Sequence, residues 1–500
     1  MEDEKPKQER IACPDNINAA TELQSPGEES YTLDDAIEHF GFGSFQIKVI
    51  LIAGLSWMAD AMEMMVLSIL SPVLMCEWNL TTFKEALITT MVFLGQGIGS
   101  YSWGFASDKF GRKKALYLSV SLVLFFGILS SQAPSYVWIL LLRLLVGFGI
   151  GGVPQAVTIV TELLPSSSRG RSIVFLEFFW AIGSVFAAAI AISAMSSLNW
   201  RWYLILITLP MLLFMVTGIW LPESPRFLMT TGKNRKVLDL LERISKSNKV
   251  PMPKGVLVTG EINTKRGRIF DLFTKEWRKT TALLWIIWFT SAFAYYGIVL
   301  LTTEIFQTGL NGCHPNKNDT NTITTCKELS NKDYVDFMLT SIAEFPGLLL
   351  AIILIEWIGR KKTLAVLFGL ASISFMLLAI CTGRTMSVIF IFAVRGFVTG
   401  SFQAAYVYTP EVLPTNVRAV GLGACSMFAR VGAMATPFVA QVLIHHSFYL
   451  VVGVYAALLV ACVIASLLLP IETKGKTLSD STHSSNGLEM RTRDGYQSFK

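Results

Sequence analysis

The chain has 500 residues, of which 52% are hydrophobic, 12% aromatic and only 16% charged, a composition too apolar for a soluble protein of this length. A net charge of +6 would fit a nucleic-acid binder in a polar chain, but here the basic residues cluster in short loops between apolar runs, which removes nucleic acid from the expected partners. Seven cysteines lie scattered without the paired spacing of a metal site, so neither a metal nor another cofactor is expected.

Residues 1 to 45 form a polar tail without an apolar run. No cleavable secretory signal is expected, and the first apolar helix must itself direct insertion. A hydrocarbon core about 30 Å thick needs roughly 20 apolar helical residues per crossing. Stretches of that length recur twelve times: 46 to 70, 86 to 106, 115 to 133, 136 to 160, 173 to 195 and 203 to 221, then 281 to 303, 335 to 355, 363 to 382, 386 to 409, 420 to 444 and 448 to 469. The expectation is an all-α membrane protein of twelve transmembrane helices. A first six-helix bundle covers 46–221 and a second covers 281–469, joined by a linker, 222–280, and followed by a polar, Ser-rich tail, 470–500.

Loops retained in the cytoplasm carry the excess of Lys and Arg. Lys109, Arg112, Lys113 and Lys114 follow helix 2, Arg360, Lys361 and Lys362 follow helix 8, and the linker is rich in both types, whereas the segments after helices 3 and 11 have none. Tails and linker are therefore expected in the cytoplasm. Cys313 and Cys326 share the loop after helix 7 on the opposite side, where disulfides form, and a disulfide between them is expected. Asn79 and Asn318 open glycosylation sequons on that same side.

The two halves overlay with a nearly constant offset. Asp108-Lys-Phe-Gly111-Arg112-Lys-Lys matches Glu356-Trp-Ile-Gly359-Arg360-Lys-Lys at a shift of 359 − 111 = 248. Glu162-Leu-Leu-Pro165 with Arg169 matches Glu411-Val-Leu-Pro414 with Arg418 at 411 − 162 = 249. Leu221-Pro222 matches Leu469-Pro470 at 248. Three landmarks in register indicate a duplicated six-helix unit, and parallel repeats of this kind enclose a central cavity.

These residues resemble the major facilitator superfamily, particularly its sugar-transporter and organic-ion branches. The resemblance covers roughly residues 46 to 478 and rests on Gly104-Phe-Ala-Ser-Asp108-Lys-Phe-Gly111-Arg112-Lys-Lys, on Arg143 with Gly147 and Gly149, on Pro222-Glu223-Ser-Pro-Arg226 and on Pro470-Ile-Glu472-Thr-Lys-Gly475. Within it, Trp57-Met-Ala-Asp60-Ala-Met-Glu63 and Tyr295-Tyr296-Gly look similar to the SVOP-like, synaptic-vesicle-protein-related group, and the short loop after helix 7 favours that branch. The resemblance implies the major facilitator fold and transport of a solute, without naming the ligand.

Intramembrane charges are functional candidates by default, because each costs about 2.5 to 3.5 kcal/mol or more in hydrocarbon. Asp60 and Glu63, three residues apart on helix 1, could bind a cation or take up a proton. They could equally form a structural ion pair, for which Arg143 on helix 4 lies at a comparable depth to Asp60. Glu177, Glu344, Arg395 and Arg430 also sit within apolar runs and should face a cavity or a partner. Arg395 reads first as the repeat counterpart of Arg143, while Arg430 could meet an anionic solute group. Tyr295, Tyr296, Tyr406 and Tyr408 combine an aromatic face with a hydroxyl and could line the cavity or simply pack. The glycines from 147 to 152 serve close helix packing and do not form a phosphate loop.

The resemblance gives Asp108, Arg112, Glu162, Arg169, Glu223, Arg226, Glu356, Arg360, Glu411, Arg418 and Glu472 the role of a cytoplasmic gate, closed in the outward-open state. Exposed pairs contribute individually about 0–1 kcal/mol, which suits a reversible latch, and positive charges that only set topology are the plain alternative. The sequence thus points to a monomeric, multi-pass transporter of a small organic solute, most simply an organic ion, in a plasma or vesicle membrane. Proton coupling is a secondary expectation. The rival is a receptor or vesicle structural protein that keeps the fold without transport. No nucleophile, metal cluster or nucleotide loop supports an enzyme.

Overall fold

The computed structural model describes residues 30–258, 269–308, 329–380 and 383–474. Cys313, Cys326 and Asn318 lie outside the described residues, as does the side chain of Arg169. In the first half, span 1 is Ser44–Trp78, span 2 Thr82–Phe110, span 3 Arg112–Ser130, span 4 Tyr136–Glu162, span 5 Ser166–Ser197 and span 6 Trp200–Trp220. In the second, span 7 is Arg278–Thr308, span 8 Asn331–Ile358, span 9 Arg360–Leu378, span 10 Arg384–Val412, span 11 Thr415–Pro437 with its continuation to His445, and span 12 Phe448–Leu468.

Among the described residues, 11 helices are long and apolar enough to cross a membrane. Span 2 has the length, 29 residues, but is more polar because it is two-faced. Its Glu85, Gln96 and Ser107 are buried, while Leu94, Ile98, Tyr101 and Phe105 form an exposed stripe at helical spacing. Such a stripe suits lipid, and the polar face is free to line the interior.

The duplication is visible in the packing. A Cβ on Gly147 would stand 2.1 Å from the Val92 carbonyl oxygen, and one on Gly347 2.2 Å from that of Gly396. Spans 2 and 4, and their counterparts 8 and 10, therefore touch backbone to backbone, which only glycine permits.

A second repeated device sits at the face carrying the basic turns, called here the basic face. Gly111 (φ 107°) and Gly359 (φ 91°) turn the chain from span 2 into 3 and from span 8 into 9. There the carboxylate of Glu223 accepts from the Lys113 N–H at 3.0 Å, and that of Glu472 accepts from Arg360 and Lys361 N–H at 2.8 and 3.1 Å. A carboxylate capping a helix N-terminus satisfies orphan donors and complements the helix dipole. Each of Glu223→Gln and Glu472→Gln is expected to cost about 1 kcal/mol, read as a lower midpoint of thermal unfolding, whereas a substitution at exposed Lys362 should leave it unchanged.

The N-terminal tail and the linker are not plain polar connections. Ser30–Tyr31 pairs in parallel with Val256–Leu257, and helix Leu33–Phe40 buries Leu33, Ala36, Ile37 and Phe40 beside the linker helix Asn234–Asn248. Thr32 and Asp35 form the capping box that starts the tail helix. The Thr32 hydroxyl and N–H, both bonded to the Asp35 carboxylate, hold its pKa below the usual carboxylate value. On the opposite face, exposed Asn79 ends span 1 in a left-handed conformation, and Cys76 is disulfide-bonded.

Candidate functional site

Span 1 lies between the halves and sends its two acids to different partners. Glu63 turns to span 4, where its Oε2 accepts from Arg143 Nη1 at 3.0 Å with both side chains 1% exposed. Arg143 thus pairs with Glu63, and the contact with Asp60 considered from the sequence is not the one formed. Residues three apart on a helix diverge by about 60° in direction, enough at a boundary between bundles to separate their surroundings.

The second half repeats the motif between spans 8 and 10. Arg395 and Glu344 meet at 2.8 Å, both side chains 0% exposed. This pair reaches across to the first half: Glu344 accepts from Ser184 Oγ at 3.1 Å and from Tyr295 Oη at 3.0 Å, and Tyr295 Oη in turn accepts from Trp180 Nε1 at 2.6 Å. Arg395 Nη2 also approaches Met65 Sδ at 3.1 Å. Glu63, Arg143, Tyr295, Glu344 and Arg395 are therefore paired in two networks, in which Arg143 Nε and Nη2 and Arg395 Nη1 are buried without a hydrogen-bond partner among the described residues. Buried pairs of this kind fix geometry more than they add stability.

A different group stays open. Asp60 from span 1 is 4% exposed and stands in the field of the Arg430 guanidinium from span 11. Asp60 Oδ1 and Arg430 Nε are both buried without a hydrogen-bond partner among the described residues. Glu177 on span 5 is half-buried and shares the same surroundings, with Asp60 and Glu344 on one side and Tyr406 on another. Tyr296 lies against Arg430. Aromatic rings enclose the group: Trp57 with Trp180 at 6.0 Å between centroids, Phe93 with Tyr296 at 4.6 Å and Trp288 with Tyr406 at 4.5 Å. Of the sequence-named residues, Asp60, Glu177, Tyr296, Tyr406 and Arg430 thus come together. Tyr408 does not, because its hydroxyl donates to the Ile471 carbonyl at 2.7 Å, toward the C-terminal segment. Trp57 and Trp180 were not singled out from the sequence, although each lies three residues from an intramembrane acid.

At the basic face, the pairs formed among the described residues lie within one half or reach the N-terminal tail. Arg112 meets Asp108 at 3.0 Å and Glu162 at 3.9 Å, and Glu162 accepts from the Ser224 hydroxyl. Arg360 grips Glu411 with two bonds of 3.0 and 3.1 Å, and Arg418 Nε donates to the Leu413 carbonyl. Arg226 reaches Asp34 of the tail at 2.8 Å, and Glu356 is exposed. Contacts between the halves instead run from the opposite face to mid-span. Among the described residues they include Gln307 with Cys76 at 3.5 Å, Phe83 with Phe438 at 5.8 Å between centroids, Gln441 with Glu85 at 3.4 Å, Phe93 with Tyr296 at 4.6 Å between centroids, then the Glu344 network and Phe178 with Phe345. Among the described residues, the halves are joined on the face opposite the basic one.

Comparison with known proteins agrees with this architecture. The model of the Sugar (and other) transporter family matches residues 51–483. The chain is 49% identical over 485 residues to the Synaptic vesicle 2-related protein of Xenopus laevis, covering 96% of this chain and 88% of that protein. It is 35% identical over 500 residues to the Organic cation/carnitine transporter 7 of Arabidopsis thaliana, covering 92% and 98%. A partially occluded inward open conformation of the xylose transporter XylE from E. coli is similar in fold, with a TM-score of 0.66 and 16% identity over 87% of this chain and 100% of that one.

Proposed function

Because the chain belongs to the Sugar (and other) transporter family of the major facilitator superfamily, in its synaptic-vesicle-related group, we propose that it carries a small organic cation or zwitterion across a membrane by alternating access. The observation that carries this reading is the open group at mid-span, in which Asp60 from one half and Arg430 from the other keep buried polar atoms without partners. A buried polar atom left without a hydrogen bond costs about 1–3 kcal/mol, and a solute that reached both would remove that cost while bridging the halves.

Two acids beside one guanidinium favour a solute with an ammonium group, held by Asp60 and Glu177 against the rings of Trp57, Trp180 and Tyr296. A carboxylate on the same solute would reach Arg430. The Arabidopsis relative's name, with its organic cation and carnitine, supports the same class. Rocking would proceed by breaking the bonds that Ser184 and Trp180 make to the Glu344–Tyr295 network, each worth about 0.5–1.5 kcal/mol. The Glu63–Arg143 and Glu344–Arg395 pairs would keep each bundle rigid. Of the two acids expected to couple transport to protons, Asp60 is the one open to exchange, since Arg143 holds Glu63. The basic face is taken as cytoplasmic, which places both termini in the cytoplasm, and the pairs there would exchange partners between halves when that side closes.

Binding is testable before transport. Screening organic cations, zwitterions, anions and sugars by thermal unfolding of the purified protein should find a cation or zwitterion that raises stability by about 2.7 kcal/mol at a hundred times its Kd, with the gain lost in Asp60→Asn. Stabilisation by an uncharged sugar that survives Asp60→Asn and Arg430→Ala would contradict the ionic site.

A further inference from the structure

A second cluster of buried acids lies on the side opposite the basic face, outside the mid-span group. Glu85 on span 2 and Glu304 on span 7 come from different halves, and their side chains are 0% and 1% exposed as residues. Their carboxyl groups interact with each other, close enough for a hydrogen bond to join them if one can donate. Two carboxylates cannot make that bond, because both only accept. It exists only when one of them carries a proton.

The surroundings are built around this pair. After Pro437, span 11 continues as a π-turn, Phe438–Val442, and π-turns recur at functional sites. This one delivers Gln441, 1% exposed, whose Nε2 donates to Glu85 Oε1 at 3.4 Å, while its Oε1 is buried without a partner among the described residues. His445, a turn further on and 33% exposed, stands with Nε2 3.8 Å from Glu304 Oε2, and His446 follows it toward the surface. Among the described residues, the groups facing the pair are Gln441 and His445 from span 11, with His446 behind. A protonated His445 would balance the single negative charge of a pair that shares one proton.

We propose that Glu85 and Glu304 form a proton-binding site that latches the outer gate: a proton taken from the outer solution closes it, and its return to that solution lets the halves part. The charge argument sets the sign. Two buried carboxylates a hydrogen bond apart, with no proton, repel strongly in a medium of low effective dielectric. Once the outer side opens, water reaches both and they ionise without mutual penalty. The closed state therefore binds the proton more tightly than the open one, and closure is favoured at low pH and lost as pH rises. One proton released per opening changes the open-to-closed ratio about tenfold per pH unit within the titration range. The site is separate from Asp60 and concerns the gate. It rests on the alternating-access reading only in that the halves must move.

The test uses purified full-length protein in nanodiscs with no solute present, so a failure to find transport does not decide it. Spin labels carried by non-natural residues replace exposed Lys84 on span 2 and Lys332 on span 8, leaving native cysteines in place. Distance distributions between them are recorded across a pH series. The expected result is a longer outer distance gaining population as pH rises, and a short distance at every pH in Glu85→Gln with Glu304→Gln, where neutral amides keep the contact without a charge. A wild-type distribution that does not change with pH would overturn the proposal whatever the variants do. So would an unchanged pH response in the double variant, or opening that follows sodium concentration at fixed pH, which would put a metal cation in place of the proton.

Discussion

Arg395→Ala is expected to destabilise the protein by about 3–5 kcal/mol, the usual loss when one partner of a buried ion pair is removed. Glu344 would be left with both oxygens buried at 0% exposure and only the neutral donors Tyr295 and Ser184. Its alternatives are to bind a proton or to drag water into the interface, and either loosens the junction between spans 5, 7, 8 and 10. Arg143→Ala should cost a similar amount, since Glu63 has the same isolation in the first half. Replacing both partners by apolar residues of similar size, Arg395→Met with Glu344→Leu, should recover most of the stability, because the desolvation cost goes with the charges. Thermal unfolding of the single and double variants checks this. Equal losses in the single and the double variant would mean that the network, and not the uncompensated charge, carries the effect.

The second large effect concerns solute recognition. Asp60→Asn keeps the shape of the side chain and removes its charge, so affinity for an ammonium-bearing solute should fall by about 1.5–3 kcal/mol, roughly ten- to hundredfold. Arg430→Ala should cost a comparable amount for a solute that also bears a carboxylate, and much less for a simple cation of the same size. The two variants therefore sort solutes by charge. Titrating a matched cation and zwitterion against both would show the split, and equal losses for both ligands in both variants would point to a general disruption of the mid-span group.

The fold was largely legible in the sequence because it follows from two regularities, apolar runs of bilayer length and a repeat with an offset near 248. The polar character of span 2 did not hide it, since Leu94, Ile98, Tyr101 and Phe105 still mark a lipid-facing stripe. The carboxylate caps were visible as motifs, and the chemistry of Glu223 and Glu472 was not, because which backbone N–H a loop acid reaches depends on how the following loop returns. The tail helix was missed although Leu33, Ala36, Ile37 and Phe40 recur at helical spacing behind a Thr32–Asp35 capping box, a signal too short to stand out beside twelve long spans. The mid-span charges were readable one by one. Their partners were not: Arg143 chooses Glu63 over Asp60 through the rotation of span 1. Glu85 and Glu304 escaped notice because each sits near a span end, where an acid ordinarily meets water. Only the packing of span 2 against spans 7 and 11 buries them together.

The most direct test of the transport reading is uptake into proteoliposomes of a solute found to bind, comparing wild type with Asp60→Asn and Arg430→Ala. Saturable uptake by the wild type, lost in Asp60→Asn and, for a zwitterion, in Arg430→Ala, is the predicted result. A solute that binds the folded wild-type protein but is not carried across would contradict it and make the chain a receptor with a transporter's fold.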